Sequence, residues 1–166
     1  MRPIASPPEL YAHAIAIERE AAERYTEFSW RMEDAGNEAA AEVFGRLARF
    51  ESEHLETLLR RTRGMPLPSI EESQFRWLDA GAPETAAREL VFRLMTPRNA
   101  LEIALSAEKR AEAFFERIVM TAADPALRAL AREMAADEGE HISIIGELLG
   151  RTPEPLPEFL KGDHLV

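Results

Sequence analysis

Four stretches of the chain, each about 25 residues long, place apolar side chains at alternating intervals of three and four, and each breaks that pattern near its middle with a glutamate. The intervals are those of a helix with one buried face. The first stripe reads Ala14, Glu18, Ala21, Tyr25, Phe28 and Met32, and the second Phe44, Leu47, Glu51, His54 and Leu58. The third reads Leu101, Ala104, Glu108, Ala111, Phe115 and Ile118, and the fourth Leu127, Ala131, Met134, Glu138, His141, Ile145 and Leu148. A carboxylate buried without a partner costs several kcal/mol or is driven to its neutral form. Four that converge also repel one another. No lysine or arginine stands in these stripes to neutralise them. Two divalent cations would do so, four positive charges against four negative, with two neutral imidazoles completing the shells. A Glu and a His three residues apart lie on one helix face, so both can reach one metal, or the Glu can bridge two.

The punctuation between the stripes sets the topology. Ser6-Pro7, Thr96-Pro97 and Asp124-Pro125 each pair a capping residue with proline at the first helical position. Gly36-Asn37 ends the first helix, which runs to about Asp34, and Gly64, with Pro66 and Pro68 beyond it, ends the second, which starts near Glu38 and runs to Arg63. The third runs from Thr96-Pro97 to near Ala122 and the fourth from Asp124-Pro125 to near Gly150. Short connections within each pair make antiparallel neighbours, and about thirty residues, 64–96, separate the pairs. That crossover is expected to hold a short helix from Pro83-Glu84 through Leu90, Val91 and Leu94. The expected fold is all-α: two antiparallel helical hairpins joined by one long crossover, the ferritin-like arrangement of a four-helix bundle.

At 166 residues the chain accommodates one domain. It divides into a bundle over 1–150 and a Pro-rich tail over 151–166. Pro153, Pro155 and Pro157 stiffen the tail, and Phe159, Leu160, Leu165 and Val166 offer apolar contacts to the bundle or to a second subunit; docking onto another protein is the alternative. A net charge of -10, from 20 basic and 30 acidic residues, argues against a nucleic-acid surface or anionic lipid. The absence of cysteine excludes disulfides, thiolate metal sites and thiol catalysis. No run resembles a signal peptide or a membrane span, so a cytoplasmic protein is expected.

An internal repeat selects the same six residues. Glu18 and Glu108 are 90 apart, and the pairs Glu51/Glu138 and His54/His141 are each 87 apart. Ala14-Ile15-Ala16-Ile17-Glu18-Arg19 parallels Ala104-Leu105-Ser106-Ala107-Glu108-Lys109, and Tyr25 parallels Phe115, each seven residues after its Glu. Glu-x-x-His alone is a weak signal in so acidic a chain. Its placement in mid-stripe, matched by a Glu at the same depth on each remaining helix, makes it a strong one.

These residues resemble the rubrerythrin group of ferritin-like diiron proteins over roughly Glu9 to Leu149. The resemblance implies two iron ions, with manganese as the alternative. It implies terminal ligation by Glu18, His54, Glu108 and His141, and bridging by Glu51 and Glu138. Tyr25 matches a family tyrosine beside the site that can hydrogen-bond a ligand. Rubrerythrins proper carry a cysteine-ligated electron-delivery domain, so a chain without cysteine needs an external electron-donor protein. They also carry a Glu three residues after the third-helix ligand, where this chain has Ala111. Glu112 stands one further on, and two readings are open for it: an extra ligand, or a solvated flank residue.

The implied activity is reduction of hydrogen peroxide or dioxygen by a homodimeric diiron oxidoreductase with a role in oxidative stress. Its rivals are ferritin-like oxidation and handling of ferrous iron, manganese catalase-like dismutation, and an interaction protein stapled by metal. Elsewhere, Glu20 and Glu23 are read as solvated, His13 as a surface residue, and Trp30 and Trp77 as packing; His164 has no assigned role.

Overall fold

Each helix starts where a side chain replaces the missing intrahelical acceptor of its first turn. In the computed structural model, which describes residues 3–71 and 94–153, Ser6 caps α1 (Pro7–Asp34), its hydroxyl accepting from the Glu9 amide at 3.4 Å. Asn37 caps α2 (Glu38–Arg61) through the Ala40 amide at 3.2 Å. Thr96 and Asn99 cap α3 (Pro97–Thr121) reciprocally, each side chain accepting from the other's amide, at 3.1 and 3.2 Å. Asp124 caps α4 (Pro125–Arg151) by accepting from Ala126 at 2.9 Å. All four boundaries agree with the sequence reading to within two residues. The expected crossover helix from Pro83, Trp77, and the tail from residue 154 onward lie outside the described residues.

The turn between α1 and α2 is tight because Gly36 takes φ of 74°, a left-handed conformation that lets the Asn37 amide reach back to the Met32 carbonyl at 2.8 Å. Asn37 then does double duty, its side-chain amide donating to the Met95 carbonyl at the approach to α3. α1 pairs closely with α2, and α3 with α4; between the hairpins, α1 faces α4 and α2 faces α3 more loosely. Two close hairpins with a looser seam between them are the ferritin-like four-helix bundle expected from the sequence.

The apolar core is not continuous. One cluster gathers Leu10, Ile15, Leu58, Phe114, Phe115, Ile118, Leu127 and Met134. The other gathers Tyr25, Met32, Phe44, Leu47, Leu101, Ala104 and Ile145. Between them along every helix falls the position of the mid-stripe glutamate.

Three sequence readings are corrected here. His13 is not a surface residue: it is 3% exposed and its ring lies 5.7 Å from that of Phe114. Every residue from Ala12 to Glu18 is buried. Seven consecutive helical positions cover all directions round the axis, so this part of α1 is enclosed on every side rather than along one stripe. Leu67, Pro68 and Ile70 of the crossover line a recess with Ala12, Ile15 and Ala16. Trp30 departs in the opposite sense. Read as packing, it is 65% exposed. Glu23 is exposed as expected, whereas Glu20 is half-buried and bonded to Arg24 at 2.8 Å.

Candidate metal centre

The layer between the two apolar clusters is built from one carboxylate per helix. Glu18, Glu51, Glu108 and Glu138 are 6%, 2%, 4% and 3% exposed. They stand in contact: Glu18 is hydrogen-bonded to Glu51, and Glu138 to Glu108. His141 enters the same layer, 1% exposed. Its Nδ1 lies 3.2 Å from Glu108 Oε2, 3.6 Å from Glu51 Oε1 and 3.6 Å from Glu138 Oε2.

The electrostatics of this layer are unfavourable as protein alone. Burial, and then the neighbouring charges of Glu108 and Glu18, push the Glu51 carboxyl well above the usual carboxylate range. Burial followed by the charges of Glu18 and Glu108 does the same to Glu138. Glu18 is raised too, chiefly by burial. Glu18 Oε2 and Glu51 Oε1 are buried with no hydrogen-bond partner. The arginines that bind carboxylates do so elsewhere, as in Arg31–Glu27 on α1 and Arg61–Glu133 between α2 and α4. None of the ion pairs among the described residues joins a lysine or arginine to the four central glutamates.

Tyr25 reaches the layer from one cluster. Fully buried, it donates from its hydroxyl to Glu108 Oε1 at 3.1 Å. Burial, and then the Glu108 charge, raise the phenol well above its ordinary value, so it stays a hydrogen-bond donor.

The structure brings five of the six expected residues into one contact set and holds the sixth at its rim. His54 is half-buried, and its Nε2 faces His141 Nε2 at 3.3 Å, the two rings meeting edge to face at 4.4 Å. A group of ligand atoms from Glu51, Glu108 and His141 lies within 4.8 Å of one another, close enough to surround one cation. Oxygen and imidazole donors of this kind suit iron, manganese or zinc. Buried oxygens without a partner, in a layer that no lysine or arginine among the described residues neutralises, fit such an ion. Glu112, with its two readings, is half-buried beside α4: a β-carbon at Gly139 would stand 3.5 Å from its Oε1. It is not part of the three-residue group.

Sequence reasoning missed Phe50. Its ring packs 4.7 Å from that of His141 and 5.2 Å from that of His54, covering both imidazoles. Its position four residues before His54, on the same face of α2, was the available signal.

Fold and layer together define a ferritin-like bundle with a buried Glu/His cluster able to hold metal. The rubrerythrin family model matches residues 9–92, which covers nearly all of α1, all of α2 and most of the connecting stretch. The solved structure of an uncharacterized conserved protein from Magnetospirillum magnetotacticum is 34% identical, over 92% of this chain and 99% of that one, with a TM-score of 0.73. No match was found among curated proteins. The chain belongs to the rubrerythrin family. Among the described residues, no helix is long and apolar enough to cross a membrane.

Proposed function

We propose that this chain is a non-haem diiron redox protein that reduces hydrogen peroxide or dioxygen with electrons from an external donor. The observation that carries the reading is the layer of four buried carboxylates and a buried imidazole, with unpartnered oxygens and, among the described residues, no lysine or arginine paired to it. Glu18, Glu51, His54, Glu108, Glu138 and His141 would hold two iron ions. Such ions, when bound, supply reversible electron storage and Lewis acidity at neutral pH. Manganese would occupy the same donors.

The chain's own residues supply the rest. The two apolar clusters on either side of the layer exclude water, which strengthens each electrostatic interaction inside it. Tyr25 holds Glu108 through its hydroxyl, and its raised phenol keeps that proton in place as a hydrogen-bond donor. The half-buried His54 is the member of the set that meets solvent, so small oxidants and protons would arrive past it. Electrons come from a separate partner, since the chain has no cysteine cluster to carry them. A homodimer in the cytoplasm is the expected setting.

The test is metal content and turnover together. Protein from iron-supplemented cells should contain close to two iron ions per chain, and its ferrous form should be oxidised by hydrogen peroxide or dioxygen. Iron-loaded protein that is inert to both oxidants would refute the redox reading. Peroxide consumption without any reductant would move the assignment to dismutation.

A further inference from the structure

The repeat gives each half of the centre one Glu and one Glu-x-x-His, yet the surroundings of the two halves differ. On one side, Glu108 is held by the Tyr25 hydroxyl at 3.1 Å and faces His141 Nδ1 at 3.2 Å. His141 is 1% exposed, and Phe50 packs on its ring. On the other side, Glu18 keeps an unpartnered Oε2. The residue matching Tyr25 in the repeat is Phe115, which has no hydroxyl to donate. His54, the match of His141, is half-buried and turns its Nε2 toward His141.

From this asymmetry we infer that the centre loads in a fixed order: a first cation enters the preformed group of Glu51, Glu108 and His141, and a second follows at Glu18 and His54. The inference rests on the dimetal reading above. Ligands already oriented by hydrogen bonds do not have to be ordered when the ion arrives, and loss of such an orienting partner commonly lowers metal affinity by about 10- to 100-fold. Glu108 and His141 have that support. Glu18 touches only Glu51, itself one of the ligands, and has no partner outside the set, while His54 is half-buried where His141 is enclosed. Tyr25 is thereby a positioning residue for the first ion, acting through Glu108.

The test is a titration of the metal-free full-length protein with cobalt(II), followed by calorimetry and by the visible absorption of the bound ion. Wild type should fill in two steps, the first tighter by at least about ten-fold. His54→Ala should keep the first step and lose the second, and His141→Ala should lose the first. Tyr25→Phe, nearly isosteric and so expected to fold, should weaken the first step by about ten-fold and leave the second unchanged; a merely structural role for Tyr25 would weaken both. Uptake of two ions in a single step of uniform affinity would overturn the order while leaving the dimetal reading intact. So would loss of the tight step in His54→Ala, or a Tyr25→Phe protein whose first step is unaltered. Failure of wild type to bind any cobalt would overturn both.

Discussion

Glutamine in place of Glu51 is expected to stabilise the metal-free protein, and to do so increasingly as the pH rises. Glu51 is 2% exposed, and burial together with Glu108 and Glu18 raises its carboxyl well above 4.5. Above 4.5 the unfolded chain has released this proton, while the folded chain still holds it. Stability contributed by the proton is therefore complete below the unfolded value and is lost as the pH climbs through the folded one. For one such group the slope is about 1.4 kcal/mol per pH unit. Because Glu18 and Glu51 are hydrogen-bonded, the proton belongs to the pair. Glutamine has the same shape and does not titrate, so the difference between variant and wild type should widen by about that slope. At roughly 2–4 °C per kcal/mol for a chain of this size, each pH unit separates the melting temperatures by about 3–6 °C. His54 and His13 act in the opposite direction, since burial lowers both below 6.5, but they are common to both proteins and cancel. The assay is thermal unfolding of chelator-treated wild type and Glu51→Gln from pH 5 to pH 8. With saturating divalent cation the order should invert, because ligand at 100 times its dissociation constant stabilises by about 2.7 kcal/mol and the variant has lost one carboxylate oxygen and its charge. A metal-free variant less stable than wild type by the same amount at every pH would refute the reasoning. It would mean that Glu51 already has a counter-charge.

Three further outcomes follow from other parts of the molecule. His13→Leu should raise stability by about 1–3 kcal/mol, the usual penalty of a buried unpartnered polar atom, because His13 Nδ1 has no hydrogen-bond partner. In urea unfolding the gain should grow as the pH falls below 6.5, where the unfolded histidine takes up a proton that burial denies the folded one; a loss of stability at pH 6 would contradict it. Phe44→Ala removes a ring that is 0% exposed and should cost about 3–5 kcal/mol in the same measurement. Trp30→Ser, at a site 65% exposed, should change stability by no more than about 0.5 kcal/mol; a larger drop in a concentration-dependent melt would show that the tryptophan is covered by another chain.

The elements were legible because their signals are local. Ser6, Asn37, Thr96 and Asp124 each accept from an amide two or three residues downstream, so capping is readable from a four-residue window. The four glutamates were legible for a different reason: a charge inside an apolar stripe contradicts the burial the stripe predicts, and the contradiction recurs at one depth on every helix. His13 was misread because a single stripe is a poor description of a helix enclosed on all sides, and periodicity loses its contrast when seven successive positions are buried. Trp30 was misread because a large aromatic ring in an apolar sequence argues for burial only on average. Glu112 kept two readings, since its place beside Gly139 depends on how α3 meets α4, which no local pattern encodes.

The deeper limit concerns symmetry. Glu51-x-x-His54 and Glu138-x-x-His141 are the same motif, and no reading of the motif distinguishes them. What separates them lies on the opposite hairpin, where Tyr25 on α1 crosses the bundle to Glu108 on α3 and Phe115 cannot make the reciprocal bond. One hydroxyl present in the first hairpin and missing from the second gives a carboxylate a partner from outside the acidic layer in one half only. The two apolar clusters then give that difference its weight. In water an unheld carboxylate is solvated at little cost, whereas between Phe115 and Ile118 on one side and Tyr25 and Phe44 on the other the unpartnered Glu18 oxygen has nothing but a cation or a proton to turn to.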